Sequence, residues 1–554
     1  MSRTALAATT TATRALDLFR RRGFLFPTAP LHGGLRGGFD LGPVAAELRR
    51  NIERAWWRAV VHGNPEIRAY ESPILTPAAV LRASGHVANF ADLLVDDKLS
   101  GARFRADKTA PFRLSDVNDP AAKGLPKGTR VATITAESKA AATAWVDRIA
   151  NTVAPGARVE RQGKSVLVVL YAGYANPTTN NPFLTAPRPF NLLLKTHTDT
   201  ADPLDAVLAM QASGASRAAI DRALEPATAY LRPETAQGIY AAFPGVARTL
   251  HLVPPFGLAQ AGKSFRNEIR PEHSLFRTLE FEQLEMQYFV HPTRADAAHA
   301  RWTADRLAWW KQLAAQPDAF RTRDHTGTEL AHYARACSDV EFAFPWGWGE
   351  IEGVANRTDY DLQCHATATG ASFAVTDRAA DAPQPRTFTP FVVETSAGLS
   401  RAVLAFLYDA YHETVDPSSA VADSESSNRP VLRLHPTLAP TSVHVLPVVG
   451  NRPALTAAAD RVWRAIRTHP GTQEFSLATA MLESRGSIGK RYQYADETGV
   501  PVCVTVDDAS VARGTVWVRH RDTREQIEVP EAEASQVILT WFADWKSSFQ
   551  SVEV

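Results

Sequence analysis

A chain of 554 residues, 45% of them hydrophobic, can build sizeable cores in about three to four domains, and a net charge of +1 excludes a polybasic arm. Any RNA contact must therefore use local patches. The three cysteines, Cys337, Cys364 and Cys503, are scattered and odd in number, which excludes a disulfide framework and reads as reduced core thiols. No apolar run reaches the roughly 18 residues of a membrane span, and the expected location is cytoplasmic.

The first long pattern runs from Pro43 to His62, where Leu48, Ile52 and Trp56 recur at four-residue spacing before the stop signals Gly63 and Pro65. This predicts an amphipathic helix. A turn follows at Ala83-Ser84-Gly85-His86. Residues 116 to about 185 read as a compact unit of their own, with strands at Thr129–Thr135 and Ser165–Tyr171 around a helix at Glu137–Thr152. Arg232-Pro233-Glu234-Thr235-Ala236-Gln237-Gly238 then sets a carboxylate just ahead of a predicted helix, with Pro233 restricting the backbone.

Lys263-Ser264-Phe265-Arg266-Asn267-Glu268 and Phe276 to Glu285 read as a β-hairpin. Side chains two apart share a strand face, so Leu279, Phe281, Gln283, Glu285 and Gln287 fall on one side and Glu280, Glu282, Leu284, Met286 and Tyr288 on the other. A structural strand would carry Val or Ile where this one carries an aromatic ring and polar groups. The layout suits ATP held beside a small zwitterion, although an exposed hairpin with a mixed surface fits the same short pattern. Further on, Gly349-Glu350-Ile351-Glu352-Gly353 and Asn356 to Asp361 form an acidic strand and turn. Glu394-Thr395-Ser396-Ala397-Gly398-Leu399-Ser400-Arg401 leads into the helix-like run Ala402 to Leu407. Its small residues admit a ligand close to the backbone, and Arg401 at a helix start suits a phosphate.

Asp416 to Pro430, Ser- and Asp-rich without periodicity, reads as a linker. Beyond it the order is strand, helix, strand, helix, strand. Val443–Leu446 and Val502–Val506 are short β-branched runs and Pro453–Thr468 suits a helix, which predicts a mixed sheet flanked by helices. Gly486-Ser487-Ile488-Gly489-Lys490-Arg491-Tyr492 sits where a loop runs into a helix.

Taken in order, these segments resemble the class II aminoacyl-tRNA synthetases, and among them the homodimeric glycyl-tRNA synthetases. The hairpin resembles class II motif 2, Glu394 to Arg401 resembles motif 3, and the string at 232–238 resembles one found in glycyl enzymes. The similarity extends from about Phe24 to about Val529, too near the basic, Ser/Thr/Ala-rich start of the chain for that start to be a transit peptide. The implied fold is α+β. Residues 1–115 would hold motif 1 and a dimer interface, 116–188 an inserted α/β unit, 189–415 the antiparallel catalytic sheet, 416–430 a linker, and 431–554 an α/β anticodon-binding domain.

The resemblance implies attachment of glycine to tRNA(Gly) through a glycyl-adenylate, with ATP and Mg2+. Arg266 would hold the α-phosphate and Phe281 would stack under adenine. Asn267, Glu268, Phe276, Arg277 and Thr278 would complete the nucleotide site, together with Glu350, Ile351, Gly398, Leu399 and Ser400, and Arg401 would meet the far phosphates. Arg266, Glu268 and Arg401 would serve catalysis. Mg2+ would bridge phosphates beside Glu350 and Glu394. Around glycine, Glu234, Glu285 and Glu394 would surround the ammonium, Gln283 and Ser396 would narrow the space, Phe281, Glu282 and Leu284 would also line it, and Arg105 would take the carboxylate. Lys490, Arg491, Tyr492 and Arg519 would contact tRNA. Thr395 and Ser400 depart from the family's common residues. Val95 to Ser100 lacks the cysteine pair of some relatives, so no structural zinc is expected there. The competing reading is a synthetase-like accessory subunit that binds nucleic acid or protein without catalysis. Such a chain would be expected to lose Arg266, Glu234 or Arg401, and all three are present.

Overall fold

The computed structural model describes residues 3–97, 100–106, 110–111, 130–135, 158–162, 165–170, 174–175, 185, 187–199, 202–327, 330, 334–377, 386–415, 428–471 and 475–550. These form two compact units: residues 1–84, 196–265 and 273–554, and residues 85–195 with 266–272.

A seven-stranded sheet organises the first unit. Its order across the sheet is Phe320–Asp324, Ala336–Phe344, Gly347–Thr358, Phe391–Gly398, Glu280–Val290, Phe256–Phe265 and Ile67–Ala69. Every neighbouring pair is antiparallel except the last, where Ile67–Ala69 runs parallel to its neighbour. One face is covered by the helices Pro43–Trp57, Ala295–Leu313 and Leu399–Ala410, whose Leu48, Ile52, Trp56, Trp310 and Phe406 share a core with Leu284, Met286 and Tyr288 of the sheet. On the opposite face Ala236–Thr249 packs Tyr240 and Phe243 against Phe256, Phe289 and Val392. The alternation read from the sequence thus holds: even-numbered residues of Glu280–Val290 meet the larger core and odd-numbered ones the other side. The Pro43 helix also follows its pattern, with Leu48, Ile52 and Trp56 buried and a π-helical turn, Arg58–His62, before Gly63.

The same unit contains a five-stranded mixed sheet. Val443–Pro447 lies parallel to both Met481–Leu482 and Val502–Val506, and Thr515–His520 and Gln526–Pro530 continue antiparallel. Helices Pro453–Thr468 and Ala534–Gln550 pack Val462, Ile466 and Phe542 against Val445, Val504 and Val518. Every strand and helix read from the sequence there is present. Most of the predicted linker, 416–427, lies outside the described residues, and Asn428–Leu432 pairs as a strand with Tyr411–Val415.

In the second unit Ala91–Asp96 lies between Arg103–Arg105 and Arg188–Asn191, all antiparallel. Ser165–Leu170 lies between Arg130–Thr135 and Arg158–Gln162, also antiparallel. The expected helix at Glu137–Thr152 falls outside the described residues.

Candidate active site

The odd face of Glu280–Val290 continues sideways. Gln283 is opposite Gly398, Glu285 opposite Ser396, and Gln287 opposite Glu394. Directly paired residues share a face, so five polar side chains converge in a largely buried strip. The amide of Gln283 donates to Ser396 Oγ at 3.1 Å. Gln287 donates to Glu394 at 2.7 Å and to Glu285 at 3.2 Å, and its own carbonyl accepts from the Tyr240 hydroxyl at 2.6 Å, which fixes the amide's orientation. Glu285 further accepts from the Thr235 backbone N–H at 3.0 Å and from the Thr235 hydroxyl.

Behind Glu394 stands Arg357, 3% exposed, which donates to both Glu394 oxygens at 3.2 Å and to Asp361 at 2.8 and 3.0 Å. Asp361 accepts from Gln237 at 2.9 Å, Gln237 also donates to Glu234 at 3.0 Å, and its carbonyl meets the His365 ring at 3.0 Å. Glu234, Glu285 and Glu394 are thus tied into one network, as the sequence suggested. Its other members, Arg357, Asp361, Gln237, Tyr240, Gln287 and His365, went unassigned in the sequence reading. The i, i+4 pair Arg357–Asp361 in the acidic turn was the available signal.

Electrostatics make this strip selective. Burial, then the charges of Glu394 and Glu234, push the Glu285 carboxyl well above the usual carboxylate range. Burial opposes the charge of Arg357, but Glu394 and Asp361 more than offset it and the guanidinium is held charged. Glu394, Asp361 and Glu234 all act on the Arg357 guanidinium, and Glu285 joins them through Gln287.

Farther along, Arg401 donates to the Glu350 carbonyl at 2.8 Å and to the Phe276 carbonyl at 3.1 Å, and pairs with the Glu350 carboxylate at 3.3 Å. Its guanidinium lies 4.6 Å over the Phe276 ring, which packs against Phe344 and Trp346. A β-carbon on Gly349 would come 2.9 Å from Phe276, so that glycine lets the ring in. Arg401, Phe276 and Glu350 are therefore brought together. Thr278 turns its hydroxyl to the Glu280 carbonyl, and Phe281 stands opposite Ser264.

Several assignments are corrected. Glu282 and Leu284 leave by the even face: Glu282 pairs with Arg49 of the Pro43 helix, and Leu284 sits in the main core. Ile351 and Leu399 also bury their side chains in that core, and Ser400 turns its hydroxyl to the Glu282 backbone. Glu394 has both oxygens engaged by Arg357, whereas Glu350 is half exposed and pairs with Arg401. In the five-stranded domain Arg491 is buried and donates to the carbonyls of Pro447 at 2.6 Å, Glu483 at 3.0 Å and Val448 at 3.1 Å. Those bonds hold the loop. Arg519 pairs with Asp496 at 3.1 Å and covers Tyr492, whose hydroxyl meets Thr505. Lys490 remains exposed.

In the second unit, Arg266 lies 5.3 Å over the Phe90 ring, Asn267 N–H donates to Leu192 at 2.8 Å, and Glu268 N–H donates to the Arg266 carbonyl at 2.8 Å. Arg105 pairs with Asp92 at 3.0 Å.

Residues 442–541 match the family model of the anticodon binding domain. A glycine–tRNA ligase of Corynebacterium glutamicum is 35% identical over 93% of this chain and 95% of its own length. That is decisive. The chain belongs to the glycine–tRNA ligase family. Further members from Thermus thermophilus, 36% identical over 92% of this chain and 95% of theirs, and Treponema denticola, 34% identical over 96% and 97%, agree. No helix among the described residues is long and apolar enough to cross a membrane.

Proposed function

We propose that the chain charges tRNA(Gly) with glycine in two steps, on a class II antiparallel sheet. The supporting observation is the network that gathers Glu285, Glu394, Glu234 and Asp361 with Arg357. Glycine's ammonium is the small cation that fits it, and its arrival favours ionised Glu285. Gln283 and Ser396 narrow the space beside the α-carbon, so that larger amino acids are rejected by overlap rather than by weaker attraction.

Arg105 takes the glycine carboxylate and Arg266 the α-phosphate of ATP. Attack of a carboxylate oxygen on the α-phosphorus forms the mixed anhydride and breaks the bond to the β-phosphate, releasing pyrophosphate. Charge growing on the α-phosphate oxygens is stabilised by Arg266. Arg401 and Phe276 serve the nucleotide, with Asn267, Glu268, Arg277, Thr278 and Phe281 completing its site. Mg2+, held through Glu350, supplies charge neutralisation on the phosphates. The 3′-terminal ribose of tRNA then attacks the anhydride carbonyl and AMP leaves, a transfer that rests on positioning. The domain at 442–541 takes the anticodon arm, and the Pro43–Trp57 helix serves a homodimer.

Pyrophosphate exchange with ATP and each of glycine, alanine and serine, beside tRNA charging, tests this. Exchange with glycine alone, with charging, is expected. Absence of exchange for every amino acid despite ATP binding removes the catalytic reading.

A further inference from the structure

On the outer part of the same sheet, three donors of a different chemical character converge. The backbone N–H of His325 donates to the Cys337 carbonyl at 2.9 Å, which extends the ladder one step past the Asp324–Ser338 pair. His325 and Cys337 therefore face each other across the strands, and Asp339, two residues on from Cys337, shares their side of the sheet. The imidazole Nε2 is 2.7 Å from Asp339 Oδ2. One ligand atom from each of the three residues lies within 4.8 Å of the others.

Two features keep this spot open. On the neighbouring strand the residues paired with Cys337 and Asp339 are Ala355 and Gly353, the smallest side chains available. A β-carbon at Gly353 would find Asp339 Oδ1 and Glu350 Oε1 at 3.9 Å and nothing nearer, so a second carboxylate borders the space. Arg323 Nη2 lies 3.3 Å from Asp339 Oδ2 and 3.4 Å from His325 Nε2, and its Nε is anchored at 3.0 Å on Glu341, so an entering ion must turn the end of that guanidinium aside. Cys337 has no disulfide partner.

We propose that His325, Cys337 and Asp339 form a binding site for a borderline-soft divalent cation of the Zn2+ class, with water in the fourth position. Imidazole, thiolate and carboxylate are the donors such an ion takes, and a thiolate selects it over Mg2+. Ligand atoms around tetrahedral zinc lie about 3–4 Å apart, so the cluster must close by about 1 Å while the His325–Asp339 contact opens slightly. On binding, the Cys337 sulfur gives its proton to solvent and the metal takes its place. The site lies two strands from Glu394, about 10 Å at ordinary strand spacing, and is chemically distinct from a Mg2+–nucleotide site. It stands whether or not the chain charges tRNA.

Full-length protein, stripped of metal and free of nucleotide, is titrated with Co2+ as a spectroscopic probe and then with Zn2+. The expected result is an intense thiolate-to-cobalt charge-transfer band that saturates at one ion per chain, is displaced by Zn2+ and survives excess Mg2+. Cys337→Ser should abolish the band and weaken binding by about 100-fold. His325→Asn, which keeps the thiol, should weaken it comparably with an unchanged far-ultraviolet circular dichroism spectrum. Absence of the band from the wild-type protein, its loss to Mg2+, or unchanged affinity in a folded His325→Asn variant would overturn the site.

Discussion

The polar strip of the seven-stranded sheet and the loop-to-helix region of the five-stranded domain both bury arginine, yet they balance its charge differently. Around Arg491 the fold supplies three backbone carbonyls, and around Arg519 a single aspartate, so each guanidinium is consumed by the chain itself. Around Arg357 the chain supplies carboxylates on both sides and then adds Glu285 beyond them. Backbone carbonyls hold Arg491 in place although its Nε has no acceptor, whereas Arg357 is held by carboxylates that belong to a wider polar network.

Glu285→Gln would break this comparison most visibly. On the proposed function it removes a carboxylate that meets glycine's ammonium, and glycine-dependent exchange is expected to fall by about a thousandfold, or roughly 4 kcal/mol. Stability should move the other way. Because the folded-state carboxyl titrates above its unfolded value, its contribution to stability is present in acid and is lost as pH rises from the ordinary carboxylate range through the raised value. The Gln variant should therefore unfold at a higher temperature than wild type at neutral pH and lose part of the wild type's pH dependence, as calorimetry across that range would show. A lower melting temperature at neutral pH, with exchange intact, would place Glu285 among structural groups.

For the wild type, ammonium binding demands ionised Glu285, so the apparent glycine KM should fall as pH rises over the acid side of the profile, by up to about tenfold per unit. A flat KM profile would remove Glu285 from the ammonium site.

Arg491→Met sharpens the other side. Three carbonyls lose a charged donor, and a loss of about 3 kcal/mol in urea unfolding is expected, with tRNA affinity of the folded fraction unchanged. Lys490→Ala, next to it but exposed, should do the opposite: negligible change in unfolding, tRNA binding weaker by under about 1 kcal/mol, and a salt dependence reduced by about one phosphate contact. Equal loss of affinity in both variants would mean that Arg491 reaches RNA after all.

What could be read from the sequence follows the range of the interactions. Strand alternation is local, and it sorted Gln283, Glu285 and Gln287 from Leu284, Met286 and Tyr288 correctly, as it did Leu48, Ile52 and Trp56 on their helix. The same alternation puts Glu282 and Leu284, expected beside glycine, on the opposite face, where Glu282 pairs with Arg49 and Leu284 is in the core. Arg491 and Lys490 are adjacent and both basic, yet one is buried under Pro447 and Val448, more than forty residues away in the chain. Only the tertiary fold separates them. Arg357, Gln237 and Tyr240 were missed for the same reason, since each works through a partner on another element.

The Pro43–Trp57 helix touches both sheets' territories. Arg49 grips Glu282 on the seven-stranded sheet, while the amide of Asn51, buried, donates at 3.3 and 2.8 Å to the carbonyls of Leu438 and Ala439, just ahead of the five-stranded domain. Arg22, upstream of this helix, reaches the fully buried Glu497 in that domain. The polypeptide is thus stitched from its beginning to its end, and a nick within 416–427 that is followed by separation of the pieces would strand polar groups on both. Cleavage there should leave the fragments associated and eluting as one particle.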